Sequence, residues 1–164
     1  MAQRRLIVCN TTPVINLAEI GHLGLLDQLL GKFSVPPAVV AELKAKRELF
    51  PAAAEAADEL EVVAPADKLL VAGLSSMVHP GEAECLALAM ENPGSLLILD
   101  DRQARTVASS RGLPFTGTLG ILSEAKAGGL IPRLSPVIRD LRERARFWIS
   151  PALEARVLRD AGET

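Results

Sequence analysis

Tyrosine is absent from this chain, and its 164 residues include only four Phe and one Trp. A core of this size must therefore be aliphatic, built from Leu, Val, Ile and Ala. With 49% of the residues apolar, a disordered chain is excluded. Cysteine is nearly as scarce: Cys9 and Cys85, each inside an apolar run, cannot make a disulfide framework. They read as small buried packing residues of a protein in a reducing cytoplasm. No apolar stretch approaches the ~20 residues of a membrane span. The run behind Arg4 and Arg5 ends at Asn10, too short for a secretory signal. Positive charge is not in excess either. A net charge of −2 excludes a general basic coat for nucleic acid and leaves room only for a local patch. With only His22 and His79 present, there is no Ser-His-Asp pattern and no Cys/His pair at zinc-ligand spacing. The length fits one domain, expected to span residues 1–164.

What is present is an alternation of short apolar runs and helical stretches. Leu6 to Cys9 reads as a buried strand, and Asn10-Thr11-Thr12-Pro13 as a helix start with a capping hydroxyl and Pro at the first helical position. Two short helices, Val14–Ile20 and Leu23–Leu30, follow on either side of Gly21. Phe33 to Pro36 is a second strand, and Pro37 opens a helix carrying Glu42. Residues 51–60 read as helix and Val62–Ala64 as a short strand, while Leu69–Val78 gives no clear pattern. Pro80-Gly81 introduces an apolar helix over Glu82–Met90, and Leu96–Leu99 is the clearest strand. Asp100-Asp101 closes it, before a helix to about Arg111, a last strand at Pro114–Thr116 and a helix over Gly117–Lys126. Such alternation predicts a three-layer α/β/α fold around a mostly parallel sheet, because strands buried on both faces read as continuous apolar runs.

Ligands of an open parallel sheet bind beyond the carboxyl ends of its strands. Asn10 and Asp100-Asp101 fall there, and Glu82 and Glu84 occupy the first turn of the helix feeding the Leu96–Leu99 strand. A carboxylate at a helix start is also favoured by the dipole alone, by ~0.3–1 kcal/mol. Converging carboxylates, however, repel one another unless protons or a cation intervene. Magnesium and manganese take oxygen ligands, keep several waters, and can serve in-line displacement at a phosphate.

Five stretches resemble the PIN-domain superfamily, and specifically the DUF3368 family. They are Ile7-Val8-Cys9-Asn10-Thr11-Thr12-Pro13-Val14-Ile15-Asn16-Leu17-Ala18, Val35-Pro36-Pro37-Ala38-Val39-Val40-Ala41-Glu42 and Pro80-Gly81-Glu82-Ala83-Glu84. Leu97-Ile98-Leu99-Asp100-Asp101-Arg102-Gln103-Ala104-Arg105 and Gly117-Thr118-Leu119-Gly120 complete the set. They run in order from residue 6 to about 130, with 131–164 as a helical extension. The resemblance implies a Mg2+- or Mn2+-dependent ribonuclease, often the toxin of a VapC-like type II toxin–antitoxin pair, with an antitoxin partner and a homodimer. It places the acidic quartet on Asn10, Glu42, Glu82 and Asp101, with Glu42, Glu82 and Asp101 catalytic. Glu84 and Asp100 are alternative ligands, since the Glu-Ala-Glu and Asp-Asp pairs leave the register open. Side chains two apart on a helix point ~200° away from each other.

Asn10 departs from the pattern, because an active PIN nuclease usually has Asp there. An amide oxygen can ligate a metal but adds no charge and cannot act as a base, so weaker binding is expected. A non-catalytic PIN-like module that binds RNA or a protein is the rival reading; a plain phosphate-binding α/β protein lacks its glycine-rich loop. Thr11, Thr12 and Thr118 are candidate substrate contacts, although the first two also suit helix capping. Arg102 and Arg105, just after Asp101, suit an RNA backbone. In the tail, seven Arg stand against Asp140, Glu143 and Glu154 between residues 133 and 159, either further contacts for an RNA backbone or an ordinary solvated face. Phe147-Trp148-Ile149 precedes a helix over 152–160 that either covers the core or lies on a partner subunit.

Overall fold

The computed structural model describes residues 4–164; Met1–Gln3 of the expected 1–164 domain lie outside the described residues. The first half of the chain forms β1 (Ile7–Cys9), α1 (Thr11–Glu19), α2 (Gly24–Leu30), β2 (Ser34–Val35), α3 (Pro37–Ala45) and α4 (Pro51–Ala56), then a 3-10 turn at Ala57–Glu59. β3 (Glu61–Val62), α5 (Lys68–Leu74), α6 (Pro80–Glu91), β4 (Leu96–Ile98) and α7 (Arg102–Ser110) follow. The chain ends in β5 (Phe115–Thr116), α8 (Thr118–Ala127), α9 (Leu134–Arg144) and α10 (Pro151–Asp160). All strand pairs are parallel, in the order β3-β2-β1-β4-β5. Helices flank this sheet in the three-layer α/β/α arrangement of a PIN-like fold.

The sheet is short and dry. Val8, Cys9, Leu97 and Ile98 have no exposed surface, and Leu99 continues the buried run past the last paired residue. Val8 pairs with Ser34 on one side and Leu97 on the other. The strand order reverses direction about β1, so the crevice between the ends of β1 and β4 is the switch point where α/β sheets take ligands. The Asn10 amide extends the ladder with a 3.1 Å bond to the Ile98 carbonyl. Both side chains that leave this edge, Asn10 and Asp100, are thereby fixed in register.

The helix start after β1 differs from its expected form. α1 begins at Thr11, so Pro13 is its third residue, still within the first turn where no backbone donor is needed. Asn10 stands at the cap position without capping, and the Thr11 hydroxyl donates to Glu42 instead. Gly21 does separate α1 from α2, at φ +74°, a conformation L side chains resist. The Leu69–Val78 stretch, unreadable in sequence, holds α5, capped by Asp67 through the Leu70 amide.

The tail packs against the core. Leu134, Ile138, Leu141 and Ile149 are buried in the same apolar cluster as the sheet, and Val157, Leu158 and Ala161 of the α10 region pack against it. Glu163 ties down the start of α9, accepting from the Leu134 and Ser135 amides at 2.6 and 3.1 Å and pairing with Lys126. These bonds, the Leu134 amide foremost, hold its carboxyl below the usual carboxylate range. Their stabilisation is complete above the ordinary carboxylate pKa and disappears as pH falls through the lowered folded value. Glu163→Gln should therefore melt at lower temperature at pH 7 and show a flatter acid limb, read by thermal melts from pH 7 to 3.

Candidate active site

Three chain segments deliver carboxylates to the β1–β4 crevice. α6 opens at Pro80, which needs no donor, and Glu82 two residues on reaches back to the His79 amide at 2.8 Å. α7 opens with Asp101 as its cap, one oxygen accepting from the Ala104 amide at 2.8 Å. Glu42 lies on α3, and its two oxygens accept from the Thr11 hydroxyl and from the Gly81 amide at 3.0 Å. Each carboxylate is thus oriented by the backbone of a helix start. Glu82 Oε1 and Asp101 Oδ1 are left without a hydrogen-bond partner among the described residues.

Asn10, at the end of β1, is 2% exposed, and its Oδ1 is a buried oxygen with no partner among the described residues. A buried unpaired acceptor costs roughly 1–3 kcal/mol. Burial pushes the Glu82 carboxyl above its usual range, and the negative charges of Asp101 and then Glu42 add to the rise. The three acids therefore feel one another. Among the described residues no group of three or more His, Cys, Asp or Glu stands close enough together to hold a metal ion by itself. Glu82 and Asp101 line one cleft, while Asn10 is buried at the end of β1 and Glu42 is held between Thr11 and Gly81.

The remaining candidates are placed differently. Glu84 turns away and accepts from the Ala38 amide at the start of α3, at 3.2 Å. Asp100 is committed inward: it accepts from the Thr118 amide at 2.9 Å, from the Thr118 hydroxyl, and from Asn16 Nδ2 at 3.1 Å. Thr118 is fully buried in that network. Arg105 donates to the Leu99 carbonyl at 2.7 Å, pairs with Asp100 at 3.9 Å and lies over the Phe115 ring. It braces the end of β4. Thr12 and Arg102 are exposed. His79 is exposed at the start of α6, and both cysteines are fully buried, with their thiols pushed up by burial.

Several contributors were not legible as site residues. Asn16 links Asp100 to Thr118 from the buried side of α1; a lone amide on an otherwise apolar helix face was its signal. Gly81 allows the Glu42 approach, since a Cβ there would stand 2.7 Å from Glu42 Oε1. Gly117 does the same for Asp100, with a Cβ 2.6 Å from Oδ1 and 3.0 Å from the Leu99 carbonyl. A cleft of about 370 Å³ opens over Glu82, Asp100 and Asp101, walled by Thr12, Lys46 and Phe50 and by Arg146, Phe147 and Trp148. A second depression, about 260 Å³, adjoins Glu82 and Asp101 through Ser75, Ser76, His79 and Gln103.

Neither the curated proteins nor the solved structures give a significant match to the chain. The DUF3368 family, described as a PIN domain, matches residues 6–163, and so continues through α9 and α10 beyond the last of the recognisable motifs. With that extent of match, over a parallel sheet whose carboxyl edge gathers acidic side chains, the chain belongs to the DUF3368 family of PIN domains, a nuclease-type fold.

Proposed function

We propose that the protein is a divalent-metal-dependent endoribonuclease acting at the β1–β4 crevice, attenuated by the amide at position 10. The observation that carries this reading is the buried, unpartnered Asn10 Oδ1 at the carboxyl end of β1, beside the strand whose end leads into Asp100 and Asp101. Hard oxygen donors of this kind suit magnesium or manganese, which keep several waters and need few protein ligands. Asn10, Glu82 and Asp101 would hold the ion, and Glu42, linked to Thr11 and Gly81, would supply further negative charge behind them. When bound, such an ion supplies neutralisation of charge at the scissile phosphate. The protein's own part is positioning. The His79 and Ala104 amides aim Glu82 and Asp101, the raised Glu82 carboxyl gains from any cation, and Asp100 with Thr118 and Arg105 holds the end of β4 rigid.

Cleavage of RNA, which the PIN-domain family supports, belongs to this proposal together with residence in the cytoplasm as one domain, a homodimer and the toxin role beside an antitoxin. None of the helices among the described residues is long and apolar enough to cross a membrane. A second reading draws on the same Asn10: a PIN-like module that binds RNA or a protein without cutting. Titration calorimetry separates the two. Magnesium or manganese should bind the wild type, and Glu82→Ala and Asp101→Ala should each lose that binding. No heat at millimolar metal would leave the non-catalytic module standing.

A further inference from the structure

Of the large apolar side chains, Trp148 is one of the most exposed, at 80%, yet its neighbours are not. Ile149 is buried at 4% and Phe147 packs against the core. The backbone before them is equally fixed. Arg146 adopts φ 56°, the left-handed region, and the Phe147 amide bonds back to the Leu141 carbonyl at 3.0 Å. A left-handed residue just past a helix end is usually glycine; here it is an arginine, held at a conformational cost. The indole is thus held out into solvent by two anchored neighbours, as one wall of the cleft that Glu82 and Asp101 also line. Lys46 and Arg146 line it too, and bring positive charge to the same cleft.

An outward aromatic flanked by cations, next to an edge of carboxylates, matches what a single strand of nucleic acid offers. Its bases present π-faces, its phosphates seek Lys and Arg, and its scissile bond must come to the acids. A base-paired duplex has no free base face to give. We propose that the Ala145–Ile149 segment is a clamp for single-stranded RNA, with Trp148 stacking on a base and Arg146 and Lys46 holding adjoining phosphates. The inference rests on the nuclease reading for the identity of the strand. From Trp148 the strand crosses Glu82 and Asp101 towards the depression beside Ser75, Ser76 and His79, which the same two acids border.

Because Trp148 is the sole tryptophan and tyrosine is absent, its emission reports on the clamp alone. The test is binding of a labelled ten-nucleotide RNA of mixed sequence to the full chain, by anisotropy and by Trp148 quenching. A blunt RNA duplex and the same sequence as single-stranded DNA run alongside. Single strands should quench and the duplex should not; RNA binding above DNA would mark the 2′-hydroxyl as read. Trp148→Ala should weaken RNA binding about 10- to 100-fold, Trp148→Phe should restore most of it, and manganese calorimetry should be unchanged in both. Arg146→Gly should weaken binding and reduce its salt slope by about one, without lowering the melting temperature, since glycine relieves the left-handed residue. Undiminished RNA binding by Trp148→Ala overturns the clamp and, where manganese still binds, leaves the nuclease reading intact. Quenching by RNA in a protein that binds no metal has the opposite meaning: the clamp stands and the nuclease falls. Emission of the free chain that shifts with protein concentration would show a second copy covering Trp148 and also overturn the clamp.

Discussion

Asn10→Asp is expected to bind manganese about 10- to 100-fold more tightly than the wild type and to raise RNA cleavage with it. The substitution changes almost no volume and places a full charge where Oδ1 is buried without a partner. Near a protein surface, opposite unit charges 4 Å apart attract by roughly 4 kcal/mol, and each ~1.4 kcal/mol is tenfold in affinity. Repulsion from Glu82 and Asp101 removes part of that gain, which sets the range. The same repulsion acts when no cation is present. In chelator, Asn10→Asp should melt below the wild type, by about 2–4 °C for each kcal/mol lost; added manganese should reverse the order, because a ligand that binds only the folded state stabilises it. Calorimetry and paired melts with and without manganese measure both halves. A variant that melts alike in both media, with unchanged affinity, would mean that Asn10 faces no cation.

The second large effect runs the other way. Glu82→Gln and Asp101→Asn should each reduce metal-dependent cleavage by about 100-fold or more, in the wild type and in the Asn10→Asp background alike. Both replacements keep an oxygen for the helix start they serve: the Gln can still accept from the His79 amide, and Asn is as good a cap as Asp. Folding is therefore preserved. For Glu82→Gln it should improve slightly in chelator, since burial and its acidic neighbours already disfavour the charged form. Lost cleavage with an unchanged or higher melting temperature is the signature of a functional charge. A fall in both together would mean that the carboxylate serves the fold.

The strands that carry the acids could be read directly. Ile7–Cys9 and Leu96–Ile98 are branched apolar runs buried on both faces, and a polar residue ending such a run falls at the sheet edge by construction. Asn10 and the Asp100-Asp101 pair were placed that way, Glu82 and Glu84 by a helix start, and the choice among them came from the family resemblance. β3 was legible only approximately, displaced by a residue, because its two residues are exposed and carry no apolar pattern. The capping hydroxyl expected after β1 went elsewhere, since Thr11 found a carboxylate from a different helix, a contact no local rule contains. The same reason hid the inward commitment of Asp100, which depends on Asn16 and Thr118 arriving from α1 and α8. The two-way split of Phe147-Trp148-Ile149 was equally closed to sequence, because it follows from a left-handed Arg146 rather than from hydrophobicity.

The parallel register of β1 and β4 also dictates when the site exists. Ile7 pairs with Leu96 and Cys9 with Ile98, partners at opposite ends of a long intervening stretch. No local turn can bring them together, and the whole loop must close before the pairing repays its entropy. A chain emerging from the ribosome holds Asn10 and Glu42 long before Asp101 is made, and Thr118, which seats Asp100, comes later still. The acidic edge is therefore assembled late, in one step, with the closing of β4 beside β1. During synthesis the growing chain carries the parts of the site without the site.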